Sequence, residues 1–139
     1  MTLTPAGEAK LILPEGWAQP RGYSHALSVS GKIITLAGQI GSNPKTAQVE
    51  DDDFVAQVRQ ALSNIVTLLT EAGATPNKLV RLTWFITERE KYLDSRREIG
   101  TVYREVIGNH YPPMSILVVS ALLDENAKVE IEATAVIPE

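Results

Sequence analysis

The stretch Val129-Glu130-Ile131-Glu132-Ala133-Thr134-Ala135-Val136 decides how this chain is read. Val129, Ile131, Ala133 and Ala135 recur at every second position, the spacing of a β-strand with one face in a core, so Glu130 and Glu132 share the opposite face. Working back, Met114 to Leu122 is a second strand candidate, apolar at nearly every position from Ile116 to Ala121, as in strands covered on both faces. The polar turn Asp124-Glu125-Asn126 joins it to the last strand, predicted over 128–137. Upstream, Leu79 to Thr87 also runs at period two, with Val80, Leu82, Trp84 and Ile86 pointing one way and Arg81, Thr83 and Thr87 the other.

Two helices separate these strands. Phe54, Val58, Leu62, Ile65 and Leu69 fall at three- and four-residue spacing after Asp51-Asp52-Asp53, and Gly73 follows as a terminator. The acidic run is explained as a helix start, with its charge at the positive end of the helix dipole. A second helix is predicted from about Tyr92 to Val106, with Ile99, Tyr103 and Val106 inward and Gly108 closing it. Nearer the N-terminus, Ser24 to Ser30 and Ile33 to Ile40 are expected to pair as a hairpin across Gly31-Lys32. The turn-rich Gly41 to Thr46 reads as a loop, and residues 1–21 as irregular lead-in. The expectation is one α+β domain over 1–139, in the order β-β-α-β-α-β-β, with two helices on one face of a mixed sheet. The apolar strands call for cover on the second face, and a neighbouring subunit is the simplest cover.

Composition narrows the function. The chain has 139 residues, 44% of them hydrophobic and 22% charged, the balance of a globular protein. With 13 basic against 17 acidic residues, and no basic stripe, nucleic acid is not an expected partner. Cysteine is absent, which excludes disulfides and thiolate chemistry, and only two histidines, His25 and His110, are present. No apolar run reaches the roughly 18 residues of a membrane span, and MTLTPAGEAK lacks the pattern of a secretory signal. The cytoplasm is the expected compartment.

Few residues carry chemistry. Glu130 or Glu132, held in a partly dry cleft between subunits, would suit general acid–base work; the alternative is that both are solvated. His25 would serve as a proton shuttle or as an ordinary strand residue, and Tyr23 as a cleft or packing group. Gly38-Gln39 within a strand points to close backbone approach, and Met114-Ser115 to a strand end facing a crevice.

Together these positions resemble the RidA family (YjgF/YER057c/UK type, formerly called endoribonuclease L-PSP). The matching stretches are Gly22-Tyr23-Ser24-His25-Ala26, Leu36-Ala37-Gly38-Gln39-Ile40, Asn43-Pro44-Lys45-Thr46, Pro112-Pro113-Met114-Ser115 and Val129-Glu130-Ile131-Glu132-Ala133. The resemblance implies a chorismate-mutase-like fold, a homotrimer with its sheets inward, and a small-molecule ligand in three clefts between subunits. It further implies hydrolysis of reactive enamines and imines to 2-keto acids and ammonia, with no metal or organic cofactor. Glu130 matches the glutamate that positions water, and Tyr23, Gly38 and Ser115 match positions lining the cleft. The arginine that binds the substrate carboxylate is replaced by Met114, and an asparagine of the second helix falls near Gly100. A thioether cannot imitate a bidentate guanidinium, so Arg81, Arg96, Arg97 or Lys128 would have to supply the cation. Two further readings follow: a trimeric metabolite-binding or regulatory module without turnover, and a ribonuclease, which the acidic charge disfavours.

Overall fold

The computed structural model describes residues 9–138. The N-terminal residues on which the absence of a secretory signal was read fall largely outside this range. The central sheet has four strands in the order β3-β8-β6-β7. These are β3 (Lys32–Ile40), β6 (Leu79–Ile86), β7 (Met114–Val118) and β8 (Val129–Ile137). β8 runs antiparallel to both β3 and β6, whereas β7 pairs with β6 in parallel, so the sheet is mixed as expected. No helix among the described residues is long and apolar enough to cross a membrane.

Three helices, rather than two, contribute. α1 (Phe54–Glu71) begins where the sequence places it, because the Asp53 carboxylate accepts the Ala56 N–H at 2.9 Å. Such a cap is worth about 1 kcal/mol. The expected inward residues Phe54, Val58, Leu62, Ile65 and Leu69 are all buried. The predicted second helix is broken at Ser95 into α2 (Arg89–Asp94) and α3 (Arg96–Val106). Ile99, Val102 and Tyr103 are the buried residues of α3, with Val106 packed at their margin. Gly73 and Gly108, at φ 82° and 100°, take the left-handed conformation that ends α1 and α3.

Four further expectations are corrected. β2 (Ala26–Ser28) pairs with β1 (Lys10–Ile12), not with β3, so the lead-in holds a strand and the hairpin across Gly31 does not form. The loop after β3 is itself a small hairpin, β4 (Ser42–Asn43) with β5 (Gln48–Val49). β7 ends at Val118 instead of running to Leu122, and the turn at Asp124 does not join neighbours, because β6 lies between β7 and β8. Finally, a register shift between Leu79 and Arg81 buries Leu79 fully and leaves Val80 half-buried, so the inward set is Leu79, Leu82, Trp84 and Ile86.

The helices cover one face of the sheet and leave the other open. Within a single chain β7 is an edge strand whose Ile116, Leu117 and Val118 are 39%, 45% and 52% exposed. The open face is mixed in character: Ile33, Phe85 and Leu117 alternate with Thr35, Thr83, Arg81 and Glu132.

Candidate functional site

A cavity of about 490 Å³ opens at the β7 edge, on the helix side of the sheet. Its floor is Met114 and Ile116 of β7 beside Trp84 of β6, which pair in register as Leu82 with Met114 and Trp84 with Ile116. α3 forms one wall through Ile99, Gly100 and Tyr103. Tyr23 enters from the other side because its segment is tied down: the Ser24 N–H donates to Pro112 O at 3.3 Å, and the Ser24 hydroxyl donates to Tyr111 O. Tyr111 in turn stacks on Tyr103, with ring centroids 5.3 Å apart at 16°. The Tyr103 hydroxyl donates to His110 O at 2.6 Å, and burial pushes its pKa well above the usual tyrosine value.

Charge distinguishes this cavity. Arg21, Arg96 and Arg104 line it, and among the described residues no acidic side chain does. Among the described residues none of the three makes an ion pair; the Arg96 Nε–H donates to Leu93 O at 3.1 Å. Arg104 reaches the cavity across Gly100, where a side chain would compete for the same space. Trp84 is only 3% exposed, and its indole N–H has no acceptor. An unpartnered buried donor costs about 1–3 kcal/mol.

The residues singled out from the sequence divide between two faces. Tyr23 and Met114 meet in this cavity. Glu130 and Gly38 meet on the opposite face, where a register shift in β3 between Leu36 and Gln39 brings the Gly38 backbone against the carboxylate. A Cβ on Gly38 would lie 2.2 Å from Glu130 Oε2, so any side chain there would displace the carboxylate. Trp84 pairs with Ile131 and Phe85 with Glu130, so within one chain the glutamate points away from the cavity. Ser115, opposite Thr83, shares the open face with Glu130. His25 is exposed and sits edge-on to both Trp17 and Tyr23, at 5.1 and 5.2 Å.

Of the four cations considered from the sequence, Arg96 alone lines the cavity. Arg81 lies on the open face near Glu132, and Lys128 pairs with Asp52 at 3.2 Å. Sequence reasoning missed Arg21 and Arg104. The signal for Arg104 was present: it stands one helical turn after Gly100, on the flank of the inward-facing Ile99 and Tyr103.

A four-stranded mixed sheet with helices on one face and a cationic cavity at its edge places this chain among small α+β proteins. Residues 17–137 match the family model described as Endoribonuclease L-PSP, and the chain belongs to that family. It is 33% identical over 127 residues to a RutC family protein of Pyrococcus abyssi, covering 91% of this chain and 95% of that one. It is 35% identical over 109 residues to the 2-iminobutanoate/2-iminopropanoate deaminase of Escherichia coli, covering 76% and 80%. A solved Rid-family protein of unknown function from Yersinia pestis superposes with a TM-score of 0.79 at 33% identity, covering 93% of this chain and 98% of the other.

Proposed function

We propose that the protein is a hydrolytic deaminase of reactive enamines and imines that carry a carboxylate. It works without a metal or organic cofactor, in clefts between the subunits of a cytoplasmic homotrimer. The observation that carries this reading is the pair of unpaired guanidiniums, Arg96 and Arg104, in the cavity that also holds Tyr23 and Met114. Helix α3 thereby supplies the cation that residue 114 lacks, from the other wall of the same cleft. Charge-assisted contacts of this kind are about twice as strong as neutral ones and orient a planar carboxylate.

The reaction is R–C(=NH)–COO⁻ + H₂O → R–CO–COO⁻ + NH₃. Arg104 and Arg96 hold the carboxylate, and water adds to C2, forming a C–O bond while the imine nitrogen takes a proton. The carbinolamine then breaks its C–N bond and releases ammonia. Glu130 orients the water by accepting its hydrogen bond. Because Glu130 faces away from its own chain's cavity, it acts in the cavity of the next subunit. Trimer packing covers the exposed edge formed by Ile116, Leu117 and Val118.

Met114 and the separation of Glu130 from the cavity also favour a second reading, a trimer that holds an anionic metabolite without turnover. One experiment separates the two. A 2-imino acid is generated in situ by an amino-acid oxidase, and 2-keto acid release is followed above the spontaneous rate. The deaminase accelerates release, Glu130→Gln and Arg104→Gln each abolish the acceleration, and mixed trimers of the two variants recover part of it. A protein that binds 2-keto acids but leaves the rate untouched is the binding module.

A further inference from the structure

We propose that the cavity is built for an aromatic 2-imino or 2-oxo carboxylate rather than a three-carbon one. This rests on the reading that the cavity is the ligand site, and it names the substrate class from what lines the walls. At about 490 Å³ the space is of the size that holds ligands much larger than a three-carbon acid. Five aromatic residues, Tyr23, Trp84, Tyr92, Tyr103 and Tyr111, line it. Such rings favour offset or edge-to-face contact with a ligand ring.

The replacement at residue 114 fits the same occupant. Met114 gives up a charge but offers a polarizable sulfur, which makes favourable contacts with ring edges, and Ile116 extends the apolar floor beside it. The charge has moved to α3, where Arg96 and Arg104 leave the floor free for an apolar group. One anionic end and one flat ring match the arginines and the aromatic and apolar walls.

The test uses stable 2-keto acids, so that it does not depend on turnover. Phenylpyruvate, pyruvate and 2-oxoglutarate are titrated into the unaltered protein by calorimetry. They are also titrated into Trp17→Phe, which leaves Trp84 as the single indole, by fluorescence. Phenylpyruvate is expected to bind at least tenfold more tightly than the other two and to change the Trp84 emission. Arg104→Gln is expected to weaken it tenfold or more, while Met114→Ala lowers the phenylpyruvate-to-pyruvate ratio. Equal or tighter binding of pyruvate overturns the proposal, as does tighter binding of 2-oxoglutarate, which would mean that the arginines read a second carboxylate. Absence of binding by all three also overturns it. If phenylpyruvate is preferred but no imine is hydrolysed, this inference stands and the deaminase reading falls. If the imine of alanine is hydrolysed faster than that of phenylalanine, the reverse holds.

Discussion

A Cβ placed on Gly100 would lie 3.3 Å from Nη1 of Arg104, one helical turn further along α3. Glycine inside a helix costs up to about 1 kcal/mol against alanine, and here it leaves the space into which the guanidinium folds. Gly100→Ala is therefore expected to raise the thermal midpoint slightly while displacing the guanidinium by a few tenths of an ångström. Calorimetric titration with a 2-keto acid should show binding weakened severalfold in a protein that melts no lower. Arg104→Gln should weaken the same ligand by tenfold or more, about 1.4 kcal/mol, a discounted figure because the guanidinium is solvent-exposed. Unchanged affinity in both variants would remove Arg104 from the site.

Gly38 and Glu130 form the second close pair. Any side chain at 38 meets the Glu130 carboxylate, which sits at the flexible end of its chain and can move aside. Gly38→Ala is thus predicted to keep the fold, judged by circular dichroism and melting, and to lose imine hydrolysis as fully as Glu130→Gln. A variant that folds and retains full rate would show that the position of the carboxylate is immaterial.

His110 makes stability depend on pH. It is buried, and its Nε2–H donates to Leu79 O at 2.7 Å in the neutral form. Burial lowers its pKa below the ordinary histidine value, aided by Lys78, although the Leu79 carbonyl opposes the shift. The unfolded chain, titrating near 6.5, takes up the proton first, so stability falls as pH drops below about 6.5 and is flat above it. His110→Gln, which can still donate to Leu79, should flatten this dependence in melts between pH 5 and 8. An unchanged slope would place its origin elsewhere.

Gln57 on α1 is fully buried and clamps three backbone groups. It donates to Asp51 O at 2.9 Å and Asn126 O at 3.1 Å, and accepts the Lys128 N–H at 2.8 Å. Gln57→Leu keeps the volume but strands these groups, which should cost about 2–4 kcal/mol in denaturant unfolding. Ligand affinity in the remaining folded protein should be unchanged, because the clamp lies away from the cavity. A loss under 1 kcal/mol would mean that water replaces the amide.

Local patterns carried much of the fold. The period of two in β8, the spacing along α1, the Asp53 cap and the glycines that end α1 and α3 are properties of a few adjacent residues, and each formed where the sequence puts it. Strand pairing was less legible. Ser24 to Ser30 and Ile33 to Ile40 read equally well as partners, yet β2 pairs with β1 and β3 with β8, because pairing is settled by burial across the whole sheet. The same holds for β7, which a continuous apolar run identifies as a strand but not as an edge.

What the sequence determined by itself is the family, the α+β class and the places of β8 and α1. These rest on residue identity and short-range spacing. Tertiary structure alone decided where the cations gather and what divides the candidate site residues. Arg96 and Arg104 share α3 and Arg21 comes from the segment before β2, and the three line one cavity only when α3 folds over β6 and β7. Glu130 and Met114 both belong to the central sheet, but strand pairing sets them on opposite faces, so they do not meet within one chain. Side-chain direction in a sheet follows from pairing and register, and both are fixed by contacts distant in sequence.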